Sequence, residues 1–223
     1  MLINIFLNTS RTGPEPFRRA EARRSVKSFA LPTKFEGMMS DDQVPDHLVS
    51  EDMVDRYLAL TPPNFSVIPE FQSVINEIEK AFVRGLYFST VASACVAIER
   101  MLNLARIELH HHHPKIKELW GKGASNSWGP NIDALLSWGY LDEPFAAELA
   151  TLYEDVRNAY LHSSPLGDVE ANALRAANDA YKLIGIFLAF PPDLFRFNNG
   201  QLECLNNADP RFLAFYQAHL RDG

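Results

Sequence analysis

From Pro69 to about Phe190, apolar side chains return every three or four residues, the spacing that gives a helix one buried face. Over 69–84 the series Phe71, Val74, Ile75, Ile78, Ala81 and Phe82 predicts a helix closed by Gly85. Over 87–109 the pattern continues with Val91, Ala94, Cys95, Ile98, Leu102, Ala105 and Leu109. Its small residues, Ala92, Ser93, Ala94 and Ala97, let a neighbouring helix approach closely, and Cys95 reads as a small buried hydrophobe. A short segment around Ile116–Trp120 leads into a Gly/Ser-rich loop, Gly121 to Gly129. Asn131 is placed to cap a short helix ending at Gly139, and Asp142 to cap the next, with Pro144 tolerated in its first turn. That helix, 143–162, buries Phe145, Leu149, Leu152, Val156 and Tyr160 before Ser163-Ser164-Pro165 stops it. Asp168 opens a long helix whose last turns, Leu183–Phe190, are apolar all round, which implies burial on several sides. Arg211–Leu220 forms one more amphipathic stretch. No alternating strand and no internal repeat stands out, so the expectation is an all-α helical bundle over residues 66–223.

Residues 1–65 follow a different pattern. Pro14, Pro16, Pro32, Pro45 and Pro62-Pro63 punctuate them, which predicts an irregular extension with short helices. Charge is segregated along it. Residues 11–34 carry Arg11, Arg18, Arg19, Arg23, Arg24, Lys27 and Lys34 against Glu15 and Glu21, a net +5. Residues 36–55 carry seven carboxylates and no Lys or Arg, a net −7. Two halves that attract each other on the domain surface are preferred to a basic arm that grips RNA, because charge blocks are usually just solvated.

Composition narrows the classes further. The 223 residues are 47% hydrophobic and 22% charged, which excludes wholesale disorder. A net charge of −7 and a pI near 5.5 exclude a general basic footprint, so any nucleic-acid contact is local. The most apolar stretches, Val91–Ile98 and Leu183–Phe190, are eight residues each, well short of a bilayer span. The first residues lack the basic start and small-residue cleavage site of a signal peptide. Two cysteines, Cys95 and Cys204, do not make a disulfide framework, and the expectation is a reduced, cytoplasmic protein.

The informative residues are Arg157-Asn158-Ala159-Tyr160-Leu161-His162. On a regular helix Arg157 and His162 lie about 140° apart, both flanking the outward half with Asn158 between them. Arginine offers a permanently charged planar fork that holds a phosphate and offsets transition-state charge. Histidine exchanges a proton near neutral pH and serves as general base or acid, here at a helix C-terminus that favours its protonated form. Beside a ribose 2′-hydroxyl such a base lets that oxygen attack the adjacent phosphate without a metal. Asn158 can orient either partner. The plainer reading is a histidine that caps carbonyls and an arginine paired with Glu154 or Asp155.

These residues resemble the signature of the HEPN superfamily (higher eukaryote and prokaryote nucleotide-binding domains), in the form with asparagine second. The helix Val91-Ala-Ser-Ala-Cys-Val-Ala-Ile-Glu-Arg-Met-Leu is similar to that family's Ala-rich helix leading into an acidic residue, here Glu99. Ile132-Asp-Ala-Leu-Leu-Ser-Trp-Gly-Tyr-Leu is similar to the short helix and turn before the motif helix. The resemblance covers roughly 70–190. It implies a homodimer whose motif helices face each other, metal-independent RNA cleavage, and a toxin or defence effector with a possible antitoxin as protein partner. Arg157 would then hold the scissile phosphate, His162 act as base or acid, Asn158 assist, and Glu99 position Arg157, unless Glu99 makes a plain surface salt bridge.

Other candidates point to no resident metal or cofactor. His110-His111-His112-His113 suggests adventitious metal affinity rather than a site, since consecutive helical residues diverge and only Glu108 and Glu118 lie nearby. His47 and His219 stand alone. Trp120, Trp128 and Trp138 read as packing residues rather than a base-stacking platform. No phosphate-binding Gly-rich loop or serine-nucleophile elbow is present. The competing reading is a non-catalytic dimeric helical module that binds a nucleotide or protein partner, of which a regulator similar to the mannitol-repressor family is a distant version.

Overall fold

The structure, a computed structural model, describes residues 15–30, 44–63, 69–110, 128–161, 166–188, 195–198 and 201–204. Its architecture is all-α. Helix α1 spans Glu15–Ala30, α2 Glu51–Ala59, α3 Pro69–Val83 and α4 Tyr87–His110. Then come α5 (Trp128–Ser137), α6 (Glu143–Thr151), a π-helical turn (Leu152–Arg157), α7 (Asn158–Leu161) and α8 (Val169–Leu188).

Helix α4 is the central rod, packed against α3, α5, the π turn and α8. Every apolar position expected on its inner face, Val91, Ala94, Cys95, Ile98, Leu102, Ala105 and Leu109, is buried. Helix α8 lays an alanine stripe, Ala173, Ala176, Ala177 and Ala180, into the same core, followed by Leu183, Ile184 and Phe187. Small residues on both helices permit the close approach that buries their backbones together.

Two glycines shape the turns that reverse the chain. Gly85 has φ +73° and Gly139 φ +77°, a region where a side chain is strained. In each case the glycine N–H and the next N–H bond back to the helix, from Gly85 and Leu86 to Phe82 and Ala81, and from Gly139 and Tyr140 to Leu136 and Leu135. This double closure satisfies carbonyls that the helix end leaves free. The Asp142 carboxylate accepts from the Phe145 N–H at 2.8 Å, and that of Asp168 from the Ala171 N–H at 3.0 Å, so both expected caps are made.

Several expectations are corrected. Asn131 is not a cap: α5 begins at Trp128 and includes Gly129, with Pro130 filling a first-turn position that needs no N–H. Asn131 is buried and donates to Asn103 Oδ1 at 2.9 Å. Beside it the buried Arg106 donates to the Pro130 carbonyl at 2.7 Å and lies over the Trp138 ring, tying α5 to α4.

Within residues 1–65 the helices that are described belong to the main core, while residues 1–14, 31–43 and 64–65, expected to be irregular, lie outside the described residues. Ala22 and Val26 of α1 and Val54 and Tyr57 of α2 are buried in the same cluster as α3 and α4. The Ser50 hydroxyl caps α2 by accepting from the Met53 N–H. The two charge blocks meet: Arg19 pairs with Glu51 at 2.6 Å and Asp55 at 2.7 Å, Arg23 with Glu51, and Lys27 with Asp46 at 2.8 Å. Lys27 holds the Asp46 carboxyl below its ordinary range.

A short antiparallel hairpin also appears where no strand is expected, β1 (Phe195–Asn198) paired with β2 (Gln201–Cys204). Its sequence signal is the Asn199-Gly200 dipeptide between two short alternating stretches. Among the described residues no helix is long and apolar enough to cross a membrane.

Candidate functional site

The expected single helix 143–162 is built in three parts. Helix α6 ends at Thr151, six residues form a π turn, and α7 resumes at Asn158. The Asn158 N–H bonds to the Tyr153 carbonyl, five residues back. A π turn carries one residue more than the α pattern allows, so side chains beyond it rotate from their α-helical directions. Leu152 and Val156 remain buried, but Tyr160 is only half-buried.

Arg157 closes this turn. It does not point freely outward as a straight helix would place it: its side chain is 22% exposed. Its guanidinium lies 4.8 Å from the centre of the Tyr153 ring, a stacked cation–π contact between residues four apart on one helical face. Nη2 donates to Glu99 Oε2 at 3.4 Å, and Nη1 to Asn158 Oδ1 at 3.4 Å. Asn158 Nδ2 in turn donates to Glu154 Oε2 at 3.4 Å. The carboxylate facing Arg157 is therefore Glu99, from α4 and 58 residues away in sequence, while Glu154 serves the amide.

Glu99 is held as well. Trp128 Nε1, from the start of α5, donates to the same Oε2 at 3.4 Å. The Trp128 ring packs on Tyr153 with centres 5.4 Å apart. The Tyr153 ring and the Glu99 carboxylate thus hold the guanidinium, and the buried Trp128 indole in turn holds both of them. Sequence reasoning named Arg157, Asn158 and Glu99 but treated Trp128 only as packing and passed over Tyr153. The i, i+4 spacing of Tyr153 and Arg157 was the available signal for the stack.

Arg157 and Glu99 border an open groove of about 150 Å³ between α4 and the motif segment. Its other walls are Phe88, Val91, Ala92, Cys95, Val96 and Tyr160. Burial pushes the Cys95 thiol up to about 12, against the lowering pull of Arg157, so it is a protonated wall rather than a nucleophile. Burial also raises Tyr160, whose hydroxyl donates to the Val169 carbonyl at 3.5 Å.

His162 lies outside the described residues, as do His111, His112, His113, Glu118 and Trp120. The stretch 211–220 does too. Among the described residues no group of three or more His, Cys, Asp or Glu is placed to hold a metal ion. A larger hollow of about 480 Å³ lies between α2, α3 and α8, lined by Asp52, Asp55, Arg56 and Glu170, and contains none of the motif residues. Comparison with protein-family models, with curated proteins and with solved structures finds no match to this chain.

Proposed function

We propose that this chain is a metal-independent endoribonuclease of the HEPN type, acting as a cytoplasmic homodimer, in a toxin or defence role. The observation that supports it best is the convergence of Arg157 and Glu99, distant in sequence, on the wall of an open groove at a π-helical turn. Such turns interrupt helices frequently at functional sites. In this reading Arg157 binds the scissile phosphate through donors not engaged by Glu99, and Asn158 keeps the guanidinium in plane. His162 takes the proton of the ribose 2′-hydroxyl, whose oxygen attacks phosphorus as the 5′-oxygen leaves. The products carry a 2′,3′-cyclic phosphate and a 5′-hydroxyl. The departing oxygen needs a proton as well, which the His162 of a second copy supplies. Val96 and Ile107, apolar and exposed on α4, offer surface for that copy.

A second reading, a non-catalytic module that binds a nucleotide or protein, is favoured by one feature. Arg157 is already ion-paired with Glu99 and stacked on Tyr153, as a structural arginine would be.

The deciding experiment is cleavage of labelled single-stranded and transfer RNA in EDTA by the wild type, Arg157→Ala and His162→Ala. The ribonuclease reading expects cleavage that survives EDTA, leaves cyclic phosphate ends, and falls at least ~10²-fold in either variant. Absence of cleavage by folded dimer across several RNAs selects the module, and equal cleavage by all three proteins removes the assignment.

A further inference from the structure

Helix α4 carries an apolar stripe that the described residues leave uncovered. Phe88, Ala92 and Val96 stand on successive turns, and Phe88 and Val96 are 61% and 57% exposed. Tyr160 widens the stripe by stacking on Phe88, ring centres 5.7 Å apart, and its hydroxyl donates to the carbonyl of the exposed Val169. Apolar side chains gathered in this way on a water-facing helix mark a place where another surface sits. From Phe88 to Glu99 the groove runs eleven residues along α4, about 16 Å. Its hollow, about 150 Å³, admits one large side chain and leaves the rest of the stripe as a contact face.

The rim of the stripe is acidic. Glu154 beside the motif and Asp168 and Glu170 on either side of Val169 are exposed, against Arg100 on α4, while Arg157 is paired with Glu99. The sequence holds one segment of matching character, Arg211–Arg221, which lies outside the described residues. Its Phe212, Phe215, Tyr216 and Leu220 fall at i, i+3, i+4 and i+8, the spacing of one helix face, with Arg211 and Arg221 at the ends and no carboxylate between them. As a helix it would be about 15 Å long, the length of the groove. It is also within reach. The described body ends at Leu188, the last residue of a helix packed on α4, and the hairpin pairs Phe195 with Cys204, so it returns the chain to where it entered. Residues 189–194 and 205–210 can each extend to roughly 20 Å, together more than the ~36 Å length of α4.

We propose that the C-terminal segment 211–221 docks as a helix along α4 between Phe88 and Glu99, with one of its aromatic side chains in the hollow beside Arg157. Docked there, it buries Phe88 and Val96, sets its two arginines against the acidic rim, and covers the groove. The cover belongs to the chain itself, so any ligand of Arg157 must displace it. Because the segment is tethered, its effective concentration at the groove is on the order of millimolar, and a few apolar contacts suffice to hold it. The inference does not depend on the ribonuclease reading, since it concerns what occupies the groove before any ligand does.

Hydrogen exchange of the full-length protein, read by mass spectrometry on peptides from 211–221, tests the docking. The amides of this segment are expected to exchange at least about tenfold more slowly than those of a free chain. Val96→Asp puts a charge on the exposed stripe without entering the core and should return them to free-chain rates. Ile107→Asp, exposed on the same helix but beyond the groove, should not. The groove side gives a second readout. In a Cys204→Ser background, the thiol of Ala92→Cys should react with a maleimide at least about tenfold faster once Phe215→Asp is added, since Cys95 is buried and its thiol raised to about 12. Free-chain exchange in the wild type, protection that survives Val96→Asp, or a thiol indifferent to Phe215→Asp overturns the proposal. So does protection that grows with protein concentration together with a doubled sedimentation mass, which gives the stripe to a second copy. No RNA enters the test, so its failure leaves the ribonuclease reading standing, and loss of that reading leaves the docking.

Discussion

Among the described residues a buried carboxylate oxygen of Asp179 on α8 receives no hydrogen bond, and Arg175 Nε lies 3.7 Å from it. Burial pushes this carboxyl up to about 6; Arg175 and Lys182 pull it down, and Glu148 adds to the rise. Between the ordinary value of 3.8 and about 6 the folded protein therefore holds a proton that the unfolded chain has released. Stability falls as pH rises through that window. Asp179→Asn should stabilise the protein at pH 7 by on the order of 1 kcal/mol and give no gain near pH 4, which urea melts at the two pH values will show. Cys95 gives a second outcome at this scale. With its thiol raised to about 12, alkylation of a Cys204→Ser variant near pH 8 should run at least ~10-fold slower than that of a free cysteine. The sequence supports Cys95 as a buried hydrophobe and Arg157 as a polar residue of interest. It does not show that Arg157 would lie over Tyr153 against Glu99. Side-chain direction there depends on a backbone turn that the apolar spacing of Leu149, Leu152 and Val156, fully α-helical, does not register.

Helix ends were legible because their signals are local. Gly85, Gly139, Asp142 and Asp168 act through bonds reaching three to five residues. Their energetics should follow conformation. Gly85→Ala and Gly139→Ala, both at positive φ, should each destabilise by roughly 1 kcal/mol. Gly129→Ala, within α5 where an added methyl meets nothing within 4 Å, should be neutral or stabilising by up to about 1 kcal/mol. Denaturant midpoints of the three variants test the contrast. Helix α1 was harder to place. Its buried side is only Ala22 and Val26 among basic residues, too narrow a stripe to read as a core face without knowing that α2 and α3 lie beside it. The hairpin Phe195–Cys204 was missed for a different reason: two four-residue strands carry little alternation, and the Asn199-Gly200 pair was the stronger signal.

Across the whole molecule the acidic balance is distributed, not concealed. Arg19, Arg23 and Lys27 of α1 are engaged by Glu51, Asp55 and Asp46, and Arg24 by Glu21 of the same helix, so these four do not form a free cationic arm. Around the motif, Glu99, Glu154 and Asp155 outnumber Arg157. If the chain binds RNA, it does so through one or two phosphates. The slope of log affinity against log salt for single-stranded RNA should then be no steeper than about −1.5, measured by fluorescence anisotropy. A slope several times larger would place the contact on a basic surface elsewhere. The sequence by itself determined the helical class, the order of the described helices between Pro69 and Leu188 and most of their ends, because periodicity, caps and glycines act within a few residues. Only the tertiary structure decided that α1 and α2 join the core, that the motif helix widens into a π turn, and that Glu99 rather than Glu154 faces Arg157. Each of these depends on surfaces brought together from far apart in the chain, where packing outweighs the preferences of the local segment.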